Sequence, residues 1–234
     1  MAILNIETAT AVCSVSLTEN EQVLAERVAF NGPSHASLLA VFVDDVVKKS
    51  KILGRTIKAI AVSSGPGSYT GLRIGVSMAK GLCFGWNIPL LNIPTLDILA
   101  RKVVLSVPND TSSNALFCAM LDARRMEVYV ALYDCSLQKI RDTEAVVVTE
   151  NSFSSFLEQQ KVYFFGNGAN KCKNLLPSPN ATFIDGIHPL AGDMAVLSEQ
   201  AYREKRFEDV AYFEPFYLKD FVATVPRGVA GMFR

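Results

Sequence analysis

At 234 residues and 50% hydrophobic content the chain can bury a large core in one large or two small domains, and its 23 basic residues balance 23 acidic ones, so no net field draws it to a polyanion. The longest uncharged apolar window, 81–96, contains Pro89 and Pro94 and is too short to span a bilayer, while the N-terminal MAILNIETAT lacks a basic region and carries Glu7, which argues against a signal peptide. Five cysteines (Cys13, Cys83, Cys118, Cys135 and Cys172) make an odd number with no CxxC pair, the usage expected of reduced, mostly buried thiols in a cytoplasmic protein.

In chain order, strands are predicted near 2–8, 11–18 and 21–30, a helix over 34–50, a strand over 57–64 and a helix from Gly71 to about Gly85. Cys13, Val15 and Leu17 alternate with Ser14 and Ser16, the period of a half-buried strand. Leu38, Leu39, Phe42, Val46 and Val47 share one helical stripe behind Pro33 and a Ser34 cap. From 115 the order repeats: strands near 115–122, 126–134 and 140–149, a helix over 151–160, a strand over 162–165 and a helix from about Ala169. The polar punctuation repeats as well. The first strand of each copy ends in a carboxylate, Glu7 and Asp122, and the fourth runs into a Gly-x-Gly turn at 65–67 and 166–168. A carboxylate so placed either caps a tight turn or faces a ligand, and for Asp122, before Ala123, Arg124 and Arg125, both readings stand.

The first glycine turn lies inside the string Gly65-Pro66-Gly67-Ser68-Tyr69-Thr70-Gly71-Leu72-Arg73-Ile74-Gly75. A strand, a glycine loop and a helix start in succession aim main-chain N–H groups at an anion, and Gly67, Ser68 and Thr70 supply donors for one. The familiar phosphate motifs fail on spacing. Gly65 and Gly71 are one residue too far apart for a Walker A loop and are followed by Leu72 and Arg73, and Thr70 stands where a dinucleotide fingerprint needs its third glycine.

The string closely resembles the GPGSFTGLRIG signature of the TsaB (YeaZ) family, with Tyr69 for the usual Phe. Ile93-Pro94-Thr95-Leu96 resembles that family's turn into its third helix, the segment from Leu121 to Tyr129 its "lDARr-EVY" hairpin, and the segment from Glu214 to Lys219 its terminal "P-YLR". The resemblance covers 2–219, strongly in the first half and loosely over 136–205. It implies duplicated βββαβα halves of the actin, sugar kinase and Hsp70 superfamily, an N-terminal half over 1–105, a C-terminal half over 106–220 and a tail over 221–234. It implies a non-catalytic subunit that supports TsaD, with the ATPase TsaE, in forming threonylcarbamoyladenosine beside the anticodon of tRNA. The tRNA would be reached through the complex rather than by this chain alone, and ATP or ADP would bind only at the interface with TsaD.

The superfamily's first strand ends in an aspartate that orients metal and phosphate; Glu7 and Thr8 stand there, one methylene away from the family's usual Asp. Lys219 replaces the family's final Arg and loses its bidentate pairing. The only histidines, His35 and His188, are far apart and leave no His-x-x-x-His for a metalloprotease of the glycoprotease type and no material for a triad. In the helix after the loop, Gly71, Gly75 and Ala79 recur every four residues beside a second row of Ser77, Gly81 and Gly85. Small residues inside a helix mark close approach of another backbone, either this protein's own or, as the resemblance implies, that of TsaD or a second copy, with Arg73 and Lys80 flanking. An autonomous small-molecule kinase or ATPase of the same superfamily is the alternative.

Overall fold

Branched apolar runs bounded by turn residues form strands, and the only long amphipathic stretches form helices. The computed structural model describes residues 1–30, 35–107 and 114–218; the cap expected at Pro33 and Ser34, Lys219 and the tail over 221–234 lie outside them. The strands β1 (Ala2–Glu7), β2 (Cys13–Glu19), β3 (Gln22–Ala29), β4 (Ile57–Gly65) and β5 (Leu90–Pro94) build one sheet in the order β3-β2-β1-β4-β5. A second sheet, β10-β9-β6-β7-β8, is built from β6 (Leu116–Asp122), β7 (Glu127–Tyr133), β8 (Lys139–Val147), β9 (Val162–Phe165) and β10 (Ala181–Ile184). In each, three antiparallel strands are extended by two parallel ones, so the duplicated arrangement expected from the repeat is the one observed.

Helices α1 (His35–Ile52) and α2 (Tyr69–Trp86) cover one face of the first sheet, where Leu4, Ile6, Val15 and Leu17 meet Leu39, Val43, Val46 and Val76. Ser68 caps α2 by accepting from the Gly71 N–H, and Asn87, in the left-handed region, ends it. Helix α3 (Thr95–Ser106) packs on one face of the second sheet through Leu96, Leu99 and Val103, against Phe117, Ala119 and Leu121. The other face of that sheet buries Cys118, Met120 and Phe164 under Phe153 and Leu157.

Sequence reading and structure part in several places. The helix expected over 151–160 is a single turn, α4 (Ser154–Leu157), and the one from Ala169 is a 3₁₀ turn, Asn170–Leu175. The helix α5 (Ala195–Arg203) and the strands β5 and β10 were not predicted. Strand β2 is buried on both faces rather than half-buried: its serine side is covered by a 3₁₀ turn, Gly192–Met194, whose neighbour Ala191 donates its N–H to Ser14 Oγ at 2.9 Å. From there the chain returns to the first sheet, and Met194 and Ala201 pack on Ile3, Ala61 and Leu91.

Candidate functional site

The glycine loop is folded onto the segment that follows β1. The Ser68 N–H donates to the Ala9 carbonyl at 2.7 Å, and Thr8 Oγ1 donates to the Gly71 carbonyl at 2.8 Å. A Cβ would overlap the Ala9 carbonyl at Gly67, the Thr8 carbonyl at Gly71 and the Thr8 hydroxyl at Gly75. His35, at the start of α1, closes the corner with Nε2 2.7 Å from the Thr10 carbonyl oxygen. These contacts correct two expectations. The row Gly71, Gly75 and Ala79 is buried and serves close packing within this chain, not a partner. The Ser68 amide donates to the Ala9 carbonyl and its hydroxyl accepts from the Gly71 N–H, so the Ser68 amide expected to face an anion is turned into the chain's own packing.

Glu7 is fully buried at the end of β1, with Oε1 accepting the Ala9 N–H at 2.6 Å and Oε2 without a partner. Desolvation pushes its carboxyl up to about 8, against the opposing pull of hydrogen bonds from Ala9 and Ser63, and the nearby Asp193 adds to the rise. Burial thus favours the protonated acid, and the carboxyl caps the Thr8–Ala9 turn out of reach of solvent. Among the described residues no cluster of His, Cys, Asp and Glu could hold a metal.

A cavity of about 440 Å³ lies beside the loop, lined by Ser64, Gly65, Asn92, Lys139, Asp142 and Glu214 among others. Lys139 is paired with Asp97 at 3.1 Å, whereas Asp142 and Glu214 have no ion-pair partner among the described residues. Its uncompensated charge is negative and suits a polyphosphate poorly. A strap over 208–217 crosses this side of the sheet. The Glu208 N–H donates to the Leu90 carbonyl at 2.9 Å, the Phe216 N–H to the Ser64 carbonyl at 2.7 Å, and the Tyr217 ring packs at a tilt of 39° against Tyr69, with centroids 4.9 Å apart. Lys80 donates to the carbonyls of Ala211 at 3.0 Å and Phe213 at 3.1 Å, so its ammonium holds the strap and is not free for a partner's carboxylate.

What α2 turns outward is its second row. A shallow groove of about 590 Å³ between α1 and α2 is lined by Ala36, Arg73, Ile74, Ser77, Met78 and Gly81 among others. A Cβ at Gly81 or Gly85 would meet nothing within 4 Å, and Phe84 beside them is 84% exposed. Arg73 is exposed at one end, its guanidinium donating to the Tyr69 hydroxyl at 3.0 Å.

The second lobe builds its corresponding corner differently. Asp122 Oδ1 accepts the Arg124 N–H at 2.9 Å, which makes it a turn cap, and forms an ion pair with Lys171. The Lys171 ammonium also donates to the carbonyls of Arg125 at 2.8 Å and Glu127 at 2.6 Å, and Asn167 Oδ1 accepts the Asp122 N–H at 3.0 Å. Arg124 and Arg125 have φ of +69° and +48°, and neither guanidinium has a partner among the described residues. Lys171 was not singled out by sequence; its contact with the hairpin spans more than forty residues and has no local signal.

The family model described as "TsaD: tRNA N6-adenosine threonylcarbamoyltransferase" matches residues 29–227. The chain is 31% identical over 229 residues to the tRNA threonylcarbamoyladenosine biosynthesis protein TsaB of Escherichia coli strain K12, covering 95% of this chain and 96% of that protein. It is 29% identical to the TsaB protein of Bacillus subtilis strain 168, covering 94% of each. Among solved structures, YeaZ from Pseudomonas aeruginosa superposes with a TM-score of 0.73 at 24% identity, covering 93% of this chain and 99% of that one, a likeness of fold.

Proposed function

We propose, from the premise that this chain belongs to the TsaB (YeaZ) family of tRNA threonylcarbamoyladenosine biosynthesis proteins, that it is a cytoplasmic, non-catalytic subunit that docks on TsaD through the outer faces of α1 and α2. The observation that carries this reading is the outward row Ser77, Gly81 and Gly85, which leaves helix backbone accessible along an apolar groove, with Phe84 standing beside it as an anchor. Glycine inside a helix costs roughly 1 kcal/mol relative to alanine, and no contact among the described residues requires it at 81 or 85. The same face would pair with a second copy when TsaD is absent. The buried, proton-bearing Glu7 and the internally engaged glycine loop support a subunit with no nucleotide of its own, so ATP or ADP, with TsaE, would act on the assembled complex. An autonomous kinase is the less favoured reading, because the unpaired groups of the cleft beside the loop are carboxylates.

The test is Gly81→Leu. The variant should melt at or slightly above the temperature of the parent and lose at least tenfold in affinity for TsaD, read by analytical ultracentrifugation, together with threonylcarbamoyl transfer in a reconstituted system. Undiminished pairing would place the interface elsewhere; ATP turnover by the isolated chain would favour the kinase.

A further inference from the structure

The β6–β7 hairpin carries two cations that the fold leaves unused. Arg124 and Arg125 are consecutive, exposed and unpaired among the described residues, and both hold a positive φ that L side chains rarely adopt. The turn is nonetheless rigidly held, because Lys171 binds two of its carbonyls and neutralises Asp122, which in turn caps Arg124. Lys171 thus pairs with the carboxylate that caps the turn, and neither arginine forms an ion pair among the described residues. Beside the pair, Asn167, whose Oδ1 accepts the Asp122 N–H, is exposed, and Met126 is the large apolar side chain at the turn.

We infer that this corner is a contact for the phosphodiester backbone of RNA, with Arg124 and Arg125 each taking a phosphate and the Asn167 amide, held beside the turn, adding a hydrogen bond. Charge complementarity carries the assignment: in a chain with no net charge, two consecutive, exposed guanidiniums on a held turn have no counter-ion among the described residues. A folded protein partner needs an apolar centre to its interface, which this polar corner lacks, whereas phosphate contacts are hydrated, ionic and commonly made by arginine, lysine and asparagine. Such contacts position RNA without reading its sequence. The inference rests on the reading that the chain works within a complex on tRNA, and it assigns part of the RNA contact to this subunit.

The experiment uses Arg124→Asn/Arg125→Gly, which removes both cations and replaces them with residues that accept positive φ, so the variant should fold at least as well as the parent. Fluorescence anisotropy of a labelled, unmodified tRNA transcript titrated with the complex of this chain and TsaD, at several salt concentrations, is compared with ultracentrifugation of the same complex. Expected are unchanged assembly, a roughly tenfold weaker tRNA affinity near physiological salt and a salt slope shallower by about 2. A second variant, Arg124→Lys/Arg125→Lys, should keep most of the slope. Unchanged affinity and slope would overturn the inference; intact RNA binding by variant complex that assembles poorly would instead assign the arginines to a protein partner. If the parent chain does not assemble with TsaD at all, the underlying reading falls and this one with it.

Discussion

The two lobes place a carboxylate and a glycine turn at the same point of the same sheet order, yet use them in opposite ways. In the first lobe Glu7 is sealed beneath the Thr8–Ala9 turn, keeps its proton, and leaves one oxygen without a partner. In the second Asp122 is 48% exposed, charged in its pair with Lys171, and caps a turn that presents arginines to solvent. The difference begins with what covers each corner: the returning chain around Asp193 lies near Glu7, while among the described residues Asp122 stays about half exposed. Shared topology therefore fixes where a polar group stands; the coverage decides what it can do there.

Replacing each acid by its amide should act with opposite signs. Glu7 has an ordinary value of 4.5 and a folded value of about 8, so the folded chain holds a proton that the unfolded chain releases between those values, and stability falls as pH rises through that window. Glu7→Gln escapes this and should exceed the parent by up to about 4 kcal/mol at pH 9 while matching it near pH 4, measured by urea unfolding at both pH values. An equal effect at both would show that Glu7 is not the proton-bearing group. The next largest effect is steric. Gly75→Ala should cost about 2–3 kcal/mol because the new Cβ enters the Thr8 hydroxyl, whereas Gly81→Ala on the outward row should stabilise by up to about 1 kcal/mol. Melting curves of the two would collapse the inward–outward distinction if they coincide. Asp122→Asn should destabilise by only about 0.5–1 kcal/mol, as expected for a half-exposed pair and cap. A gain in stability there would mean that the lobes do not differ as described. Smallest is Glu21→Gly at the β2–β3 turn, where φ is +63°: relief of a left-handed residue should add roughly 0.5 kcal/mol, net of its exposed contact with Arg203.

Periodicity and punctuation made much of the fold legible. The repeat of strands, the carboxylates at 7 and 122 and the glycine turns stand in the sequence because each reports a local geometric need. Strands β5 and β10 were missed: they are short parallel strands, five and four residues long, whose apolar character has no alternation to announce it. Helix α5 is defined by where the chain returns, not by its own pattern, and the burial of Ser14 and Ser16 follows from that return. The candidate site was half legible. The two small-residue rows of α2 were visible, and the facing could have been settled by Leu72, Val76 and Cys83, which are buried beside the inner row, against Arg73, Phe84 and Trp86 beside the outer one. The proton on Glu7 was not legible, since a carboxylate looks the same in sequence whether water reaches it or not.

The return of the chain to its first sheet also sets an order of events during synthesis. Ile3, Ala59, Ala61, Leu91 and Ile93 form a face whose cover includes Met194 and Ala201, and the edge beside it is tied by the strap through Glu208 and Phe216. A nascent chain that has completed both sheets but not yet residues 194–201 would leave that apolar face only partly covered, by Ile98 of α3, in the interval when ribosome-bound chains are most exposed to wrong partners. The earliest strands to be made are thus among the last to be sheltered, and a stalled or cleaved product ending before 195 should be a client of chaperones rather than a working fragment.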